Sequence, residues 1–186
     1  FGDIAGALNN MQSNLLAKIP ADKVVAESNL RVRNALDKAN TNIMLADTDG
    51  HIVYCNEAVL NMLRNAERDI RKDLPTFQVE GLVGRNFDVF HKNPAHQRNI
   101  LGHLSGEHRA TVKVGGRTFG LVANPVINAE GVRLGSVVEW VDRTDEVHAE
   151  EELATLMRAA LAGDFSQRLS LEGKKGFFIT LSEGMN

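Results

Sequence analysis

The chain has 186 residues, 43% of them hydrophobic and 24% charged, with a formal net charge of -3. That balance suits one folded domain with helical flanks and gives no electrostatic ground for nucleic acid or an anionic membrane as partner. The single cysteine, Cys55, excludes an intrachain disulfide and a thiolate zinc site.

No apolar run approaches the roughly 18–20 residues that span a bilayer, and no signal-peptide pattern opens the chain. The first residue is Phe1 and not Met, so the expectation is a cytoplasmic fragment of a longer protein. Ile4, Leu8, Met11 and Leu15 recur at steps of four, three and four, the seam of a coiled coil. Pro20 ends it, because proline cannot continue a helix without a lost hydrogen bond and a clash. Residues 1–18 are therefore expected as a coiled-coil helix, and 19–38 as a linker helix capped by Asp22 and carrying Val25, Val32 and Leu36. Helices this short are marginal alone, so a homodimer through the flanks is expected.

Ile43–Ala46 and Ile52–Tyr54 read as strands joined by the turn Asp47-Thr48-Asp49-Gly50. Helical sequence follows from Asn56 to about Ile70, then a Pro- and Gly-containing connection from Leu74 to Gly84, then short helices from Asn86 to about Leu104. Three further strands, Arg109–Val114, Arg117–Ile127 and Val132–Asp142, are separated by Gly115-Gly116 and by Asn128-Ala129-Glu130-Gly131. After Thr144 the chain is helical again to about Ala162, where Gly163-Asp164 stops it. Two strands, helices, then three strands argue for an α+β fold: a five-stranded antiparallel sheet with a helical crossover.

Ile52-Val53-Tyr54-Cys55-Asn56-Glu57-Ala58 resembles the signature of PAS domains, in which an apolar strand runs into an Asn and an Ala that open the crossover. Asp142-Arg143-Thr144 resembles the Asp-x-Thr motif that ends many of them. The resemblance covers 39–144. The block from Asp88 to Arg98, with Gly115-Gly116-Arg117-Thr118-Phe119 and Val137-Val138-Glu139-Trp140, resembles the haem-containing PAS domains of soluble aerotaxis-type chemoreceptors, which lie between HAMP modules. Residues 145–186 accordingly resemble a signalling helix and the start of a truncated HAMP, through Gly163-Asp164-Phe165, Arg168 and Gly176-Phe177-Phe178, and residues 1–18 the tail of a preceding one.

Among six histidines, His51 follows a turn, His148 lies on the exit helix, and His103 and His108 flank a polar loop, so these four read as solvated. His91 differs: it follows Phe90 in an apolar stretch and precedes Asn93-Pro94, which reads as a cap and first helical turn. Neutral imidazole suits haem iron, although a histidine so placed also serves structural roles. The resemblance implies that His91 is the iron ligand of a noncovalent haem b (iron protoporphyrin IX), with His96 as the other candidate. Strand alternation puts Leu134, Ser136, Val138 and Trp140 on one face, and Phe119, Leu121 and Ala123 on another. On sequence alone Trp140 reads as readily as a core or dimer contact as it does as a site residue. The resemblance implies that its indole N–H, a donor only, bonds to bound oxygen, with Leu121 beside the ligand or simply in the core. Lys92 and Arg98 are candidates for the haem propionates.

The implied function is the sensing of oxygen or another diatomic gas, passed through HAMP helices to a chemotaxis kinase and its adaptor. A flavin-binding redox sensor is one alternative, though Cys55 lies at a strand end and not in a helical Asn-Cys-Arg motif. A cofactor-free module for dimerisation or metabolite binding is the other. The sequence carries no phosphate-binding glycine loop, no Gly-x-Ser-x-Gly elbow and no zinc-spaced His and Glu pair, so no enzyme is expected.

Overall fold

Asn56, fully buried, organises the entrance to the domain. Its Oδ1 accepts hydrogen bonds from the backbone N–H of Val59 (3.1 Å) and of Ile43 (3.0 Å). Its Nδ2 donates to the carbonyls of Leu36 (3.0 Å) and Thr41 (2.7 Å). One side chain thus caps the helix that follows it, holds the first strand and fastens the end of the preceding helix. A computed structural model describes residues 23–91, 94, 98 and 104–164. The expected coiled-coil helix over 1–18, Lys92, His96, His103 and the expected HAMP start lie outside those residues.

The elements follow the expected order. Helix α1 covers 23–37, followed by β1 (Asn42–Ala46), β2 (Ile52–Cys55) and α2 (Glu57–Asp73). A 3-10 helix spans Phe87–Phe90, and β3 (His108–Val114), β4 (Arg117–Ile127), β5 (Arg133–Asp142) and α3 (Thr144–Leu161) follow among the described residues. The strands form one antiparallel sheet in the order β2-β1-β5-β4-β3. The last strand therefore enters between the two hairpins, which puts its end and the exit helix at the middle of the sheet.

Helix α2 is amphipathic by spacing: Val59, Leu63, Ala66 and Ile70 recur at helical intervals and are its buried residues. The crossover adds Phe77, Val79 and Leu82 to the same core. It then returns along the free side of β2, where Ile52 N–H donates to the Arg85 carbonyl and Gly84 N–H to the Ile52 carbonyl, each at 2.8 Å. That pairing leaves the 3-10 helix facing the sheet. Gly50 makes room for it: a Cβ there would sit 2.4 Å from the Phe87 ring, and the backbone φ is +86°.

Two expectations need correction. Leu134 does not share a face with Ser136, Val138 and Trp140: the register of β4 against β5 shifts between Val126, opposite Gly135, and Ile127, opposite Arg133. The skipped Leu134 turns outward and is 55% exposed, while Arg133 moves to the inner face. His108 is not a solvated loop residue either. It is the first residue of β3, half-buried and facing inward.

Candidate functional site

Between the inner face of the sheet and the helical crossover lies a cavity of about 400 Å³, within the size range of small-molecule and cofactor pockets. Its apolar wall includes Met44, Ile70, Phe119, Leu121 and Val138. Polar groups reach it from Asp47, Thr48 and Asp49 of the first turn, and from His108, Arg133 and Ser136.

His91, Leu121, Trp140 and Arg98 all line this cavity. His91 ends the 3-10 helix, where its own N–H donates to the Asp88 carbonyl at 2.9 Å. Its Nδ1 lies 3.0 Å from the carbonyl oxygen of Phe87. A carbonyl can only accept, so Nδ1 carries the proton and the lone pair of the neutral ring is on Nε2. Burial pulls the imidazole pKa below the ordinary histidine value, against the opposing pull of the Phe87 bond and of Asp88. The neutral ring, the form that can donate electrons to a metal, is thereby favoured.

Leu121 stands directly opposite Trp140 across the β4–β5 ladder, so their side chains are neighbours on the inner face. Trp140 is 7% exposed. Among the described residues, its Nε1 is the one buried side-chain nitrogen or oxygen without a hydrogen-bond partner. An unsatisfied buried donor costs about 1–3 kcal/mol. The chain carries that cost at the wall of a cavity that His91 also lines.

Arg98 is not free for an incoming anion. Its guanidinium pairs with Asp88 through both nitrogen–oxygen contacts, Nε to Oδ1 at 3.0 Å. That bond holds the Asp88 carboxyl below the usual carboxylate range. The cation at the cavity that sequence reading passed over is Arg133, whose Nη2 donates to Ser136 Oγ at 2.9 Å. No periodicity could have found it, because the bulge at Leu134 reverses the alternation there. His108 was missed because the strand starts one residue before the polar loop was expected to end. Cys55 is buried at the end of β2, away from the cavity lining.

Comparison with known proteins agrees with this architecture. Residues 30–94 match the family described as PAS domain. The chain is 50% identical over 166 residues to the methyl-accepting chemotaxis protein McpB of Pseudomonas aeruginosa. The match takes in 89% of this chain and 24% of that protein, so the chain spans about a quarter of its relative's length. Among solved structures, it is similar to the Aer2 receptor from Vibrio cholerae, described as a dual PAS-heme oxygen sensor. The identity there is 38% and the TM-score 0.51, over 55% of this chain and 93% of that one.

Proposed function

Because this chain belongs to the PAS domain family, we propose that its cavity holds haem b and that it senses oxygen. The observation that carries the reading is that one cavity is lined both by an imidazole whose Nδ1 is held by a carbonyl, leaving the lone pair on Nε2, and by an indole N–H with no acceptor among the described residues. Among the described residues, no three His, Cys, Asp or Glu side chains gather as an all-protein metal site. A single histidine fits an iron whose other ligands come from a macrocycle.

Haem supplies ferrous iron, which takes up a diatomic gas. Everything else falls to the chain. His91 would hold the iron through Nε2, with the Phe87 carbonyl keeping the ring turned and in the right tautomer. Trp140 donates its N–H to an acceptor atom that enters the cavity, which removes the cost of the orphaned donor. Leu121, beside the indole, keeps the surroundings dry and narrow. His96 remains the second candidate ligand, and Lys92 and Arg98 candidates for the propionates, Arg98 only by giving up part of its bond to Asp88.

Trp140 is two residues from Asp142 and four from Thr144, where α3 begins. A change at the indole therefore reaches the exit helix along β5. Such a signal is limited by the difference in ligand affinity between the two packings, typically about 1–3 kcal/mol. In a cytoplasmic receptor, residues 145–186 would carry it through a HAMP module to a chemotaxis kinase and adaptor, with residues 1–18 and 19–38 joining two copies as a homodimer.

The test is the absorption spectrum of the protein supplied with hemin, reduced and then exposed to oxygen, beside His91→Ala. A reversible oxygen-dependent shift that is lost in the variant establishes both the sensor and its ligand. Failure of the wild type to take up hemin overturns the reading. A yellow protein then points to flavin and a colourless one to a cofactor-free module. A normal spectrum in the variant moves the ligand to His96.

A further inference from the structure

We propose that Arg117 is the positioning residue that ties the α2 wall of the cavity to the start of the exit helix, by a second route that meets β5 only at its last residue. The proposal rests on the cavity being the sensing site, but not on which ligand fills it.

Arg117 opens β4, and its guanidinium reaches three ways. Nε donates to Asp69 Oδ2 on α2 at 2.8 Å, and Nη2 to the Asn65 carbonyl one turn earlier at 3.3 Å. Nη1 donates to Asp142 Oδ2, at the end of β5, at 2.9 Å. The other oxygen of Asp142 accepts from Thr144, from its backbone N–H at 3.0 Å and from its hydroxyl. Thr144 Oγ1 accepts in turn from the backbone N–H of Thr118, next to Arg117, at 3.1 Å. The first residue of α3 is thus held by a carboxylate whose second oxygen is held by Arg117.

Each arm ends beside a cavity residue. Asp69 precedes Ile70, Asp142 lies two residues after Trp140, and Phe119 lies two residues after Arg117 itself; Ile70, Trp140 and Phe119 all line the cavity. A ligand that spreads α2 from the sheet must therefore move Asp69 against Asp142, and only a forked, planar cation can hold both. These side chains are about one-quarter exposed, at 26%, 28% and 24% for Arg117, Asp69 and Asp142, so solvent screens them less than a surface pair.

The test uses native-state amide exchange in the full chain, read at Val147, whose N–H donates to the Arg143 carbonyl in the first turn of α3. Asp69→Asn touches nothing on α3. It is nevertheless expected to lower protection at Val147 by about threefold or more, the scale of ordinary coupling between networked residues. In an Arg117→Met background the same change is expected to have no further effect. An unaltered Val147 in Asp69→Asn, or an equal effect in both backgrounds, overturns the proposal. Should Arg117→Met fail to fold, Arg117→Lys, which can reach one carboxylate but not both, is expected to show the same loss of coupling.

These measurements need no cofactor, so they stand whether or not hemin binds. With hemin bound, Arg117→Met is expected to keep the wild-type spectrum and to show a smaller oxygen-dependent change in α3 exchange, the remainder passing along β5. A change of undiminished size also overturns the proposal.

Discussion

Phe90 packs against Trp140 with ring centroids 5.0 Å apart and planes tilted by 46°. Phe90 is also the residue before His91, so the imidazole and the indole are linked through one aromatic contact. Phe119 meets the other side of Trp140 edge-on at 5.9 Å, and Phe77 backs Phe90 at 5.2 Å. Pairs of this kind contribute about 0.5–1.5 kcal/mol each beyond area burial, comparable to the cost of the unpaired Nε1. The indole is therefore held by its neighbours in a position that its own donor disfavours.

Replacing Trp140 separates those two effects. Trp140→Phe keeps the ring contacts and removes the orphaned N–H, so the free chain is expected to lose less than about 1 kcal/mol, since a relieved donor returns about 1–3 kcal/mol against the lost volume. Trp140→Ala loses the packing as well and should cost about 3–5 kcal/mol. Denaturant unfolding of the cofactor-free chain reads both. A loss well above about 1 kcal/mol in Trp140→Phe would mean that the donor was satisfied after all. With haem bound, Trp140→Leu is expected to weaken oxygen retention; unchanged affinity and output would remove Trp140 from the sensing step.

Phe90→Leu tests the clamp itself. Trp140 is the only tryptophan in the chain, so its fluorescence has one source. Loss of the stacked ring should shift its emission and lower its anisotropy in the cofactor-free protein, with only a modest change in overall stability. An emission spectrum and anisotropy identical to wild type would show that Phe119 alone holds the indole.

The β3–β4 turn offers a sharper contrast. Gly115 and Gly116 both have positive φ, +60° and +85°. A Cβ on Gly115 would lie 1.8 Å from the backbone carbonyl oxygen of Asp69, whereas one on Gly116 meets nothing within 4 Å. Gly116→Ala should cost about 1 kcal/mol, the usual penalty for the backbone conformation. Gly115→Ala must in addition push α2 from the turn and should cost well over about 3 kcal/mol. It should also loosen the Asp69–Arg117 bond, visible as weaker amide protection in α3. A thermal midpoint equal to that of Gly116→Ala would show that α2 yields easily.

The sheet was legible because its strands announce themselves twice, by alternation and by the glycine-rich turns between them. On β4 the alternation also picked out the cavity face, and Phe119, Leu121 and Ala123 all line it. The same rule failed at Leu134 because a bulge there reverses the alternation, and the one mark it leaves in the sequence is the isolated strand glycine beside it, Gly135, at φ +150°. Arg98 looked like a free cation in sequence, yet it is committed to Asp88, ten positions away. In sequence Arg117 reads as the first residue of a strand, with no partner assigned to it. Its partners are 48 and 25 positions distant, and only the closed sheet brings them to it.

Alkaline pH should act on the junction of α1 and β2. Tyr54 donates its hydroxyl proton to Asp37 Oδ1 on α1 at 2.7 Å, with the Arg33 guanidinium 5.8 Å from its ring. Burial, with help from the Asp37 bond, pushes the phenol up from 10.0 to about 12. Burial alone pushes the neighbouring Cys55 thiol from 9.0 to about 12. Both groups are more acidic unfolded than folded, so the unfolded chain loses its protons first as pH rises. Their stabilisation is full below about pH 9 and is lost progressively towards pH 12. Denaturant midpoints across that range should fall for the wild type. The fall should be shallower for Cys55→Ala and for Tyr54→Phe, the latter differing only above about pH 10. The same burial predicts that the folded thiol resists maleimide at neutral pH and reacts only on unfolding. Rapid labelling of the native chain would show instead that the end of β2 opens readily, and with it the Asn56 junction that fastens α1 to the domain.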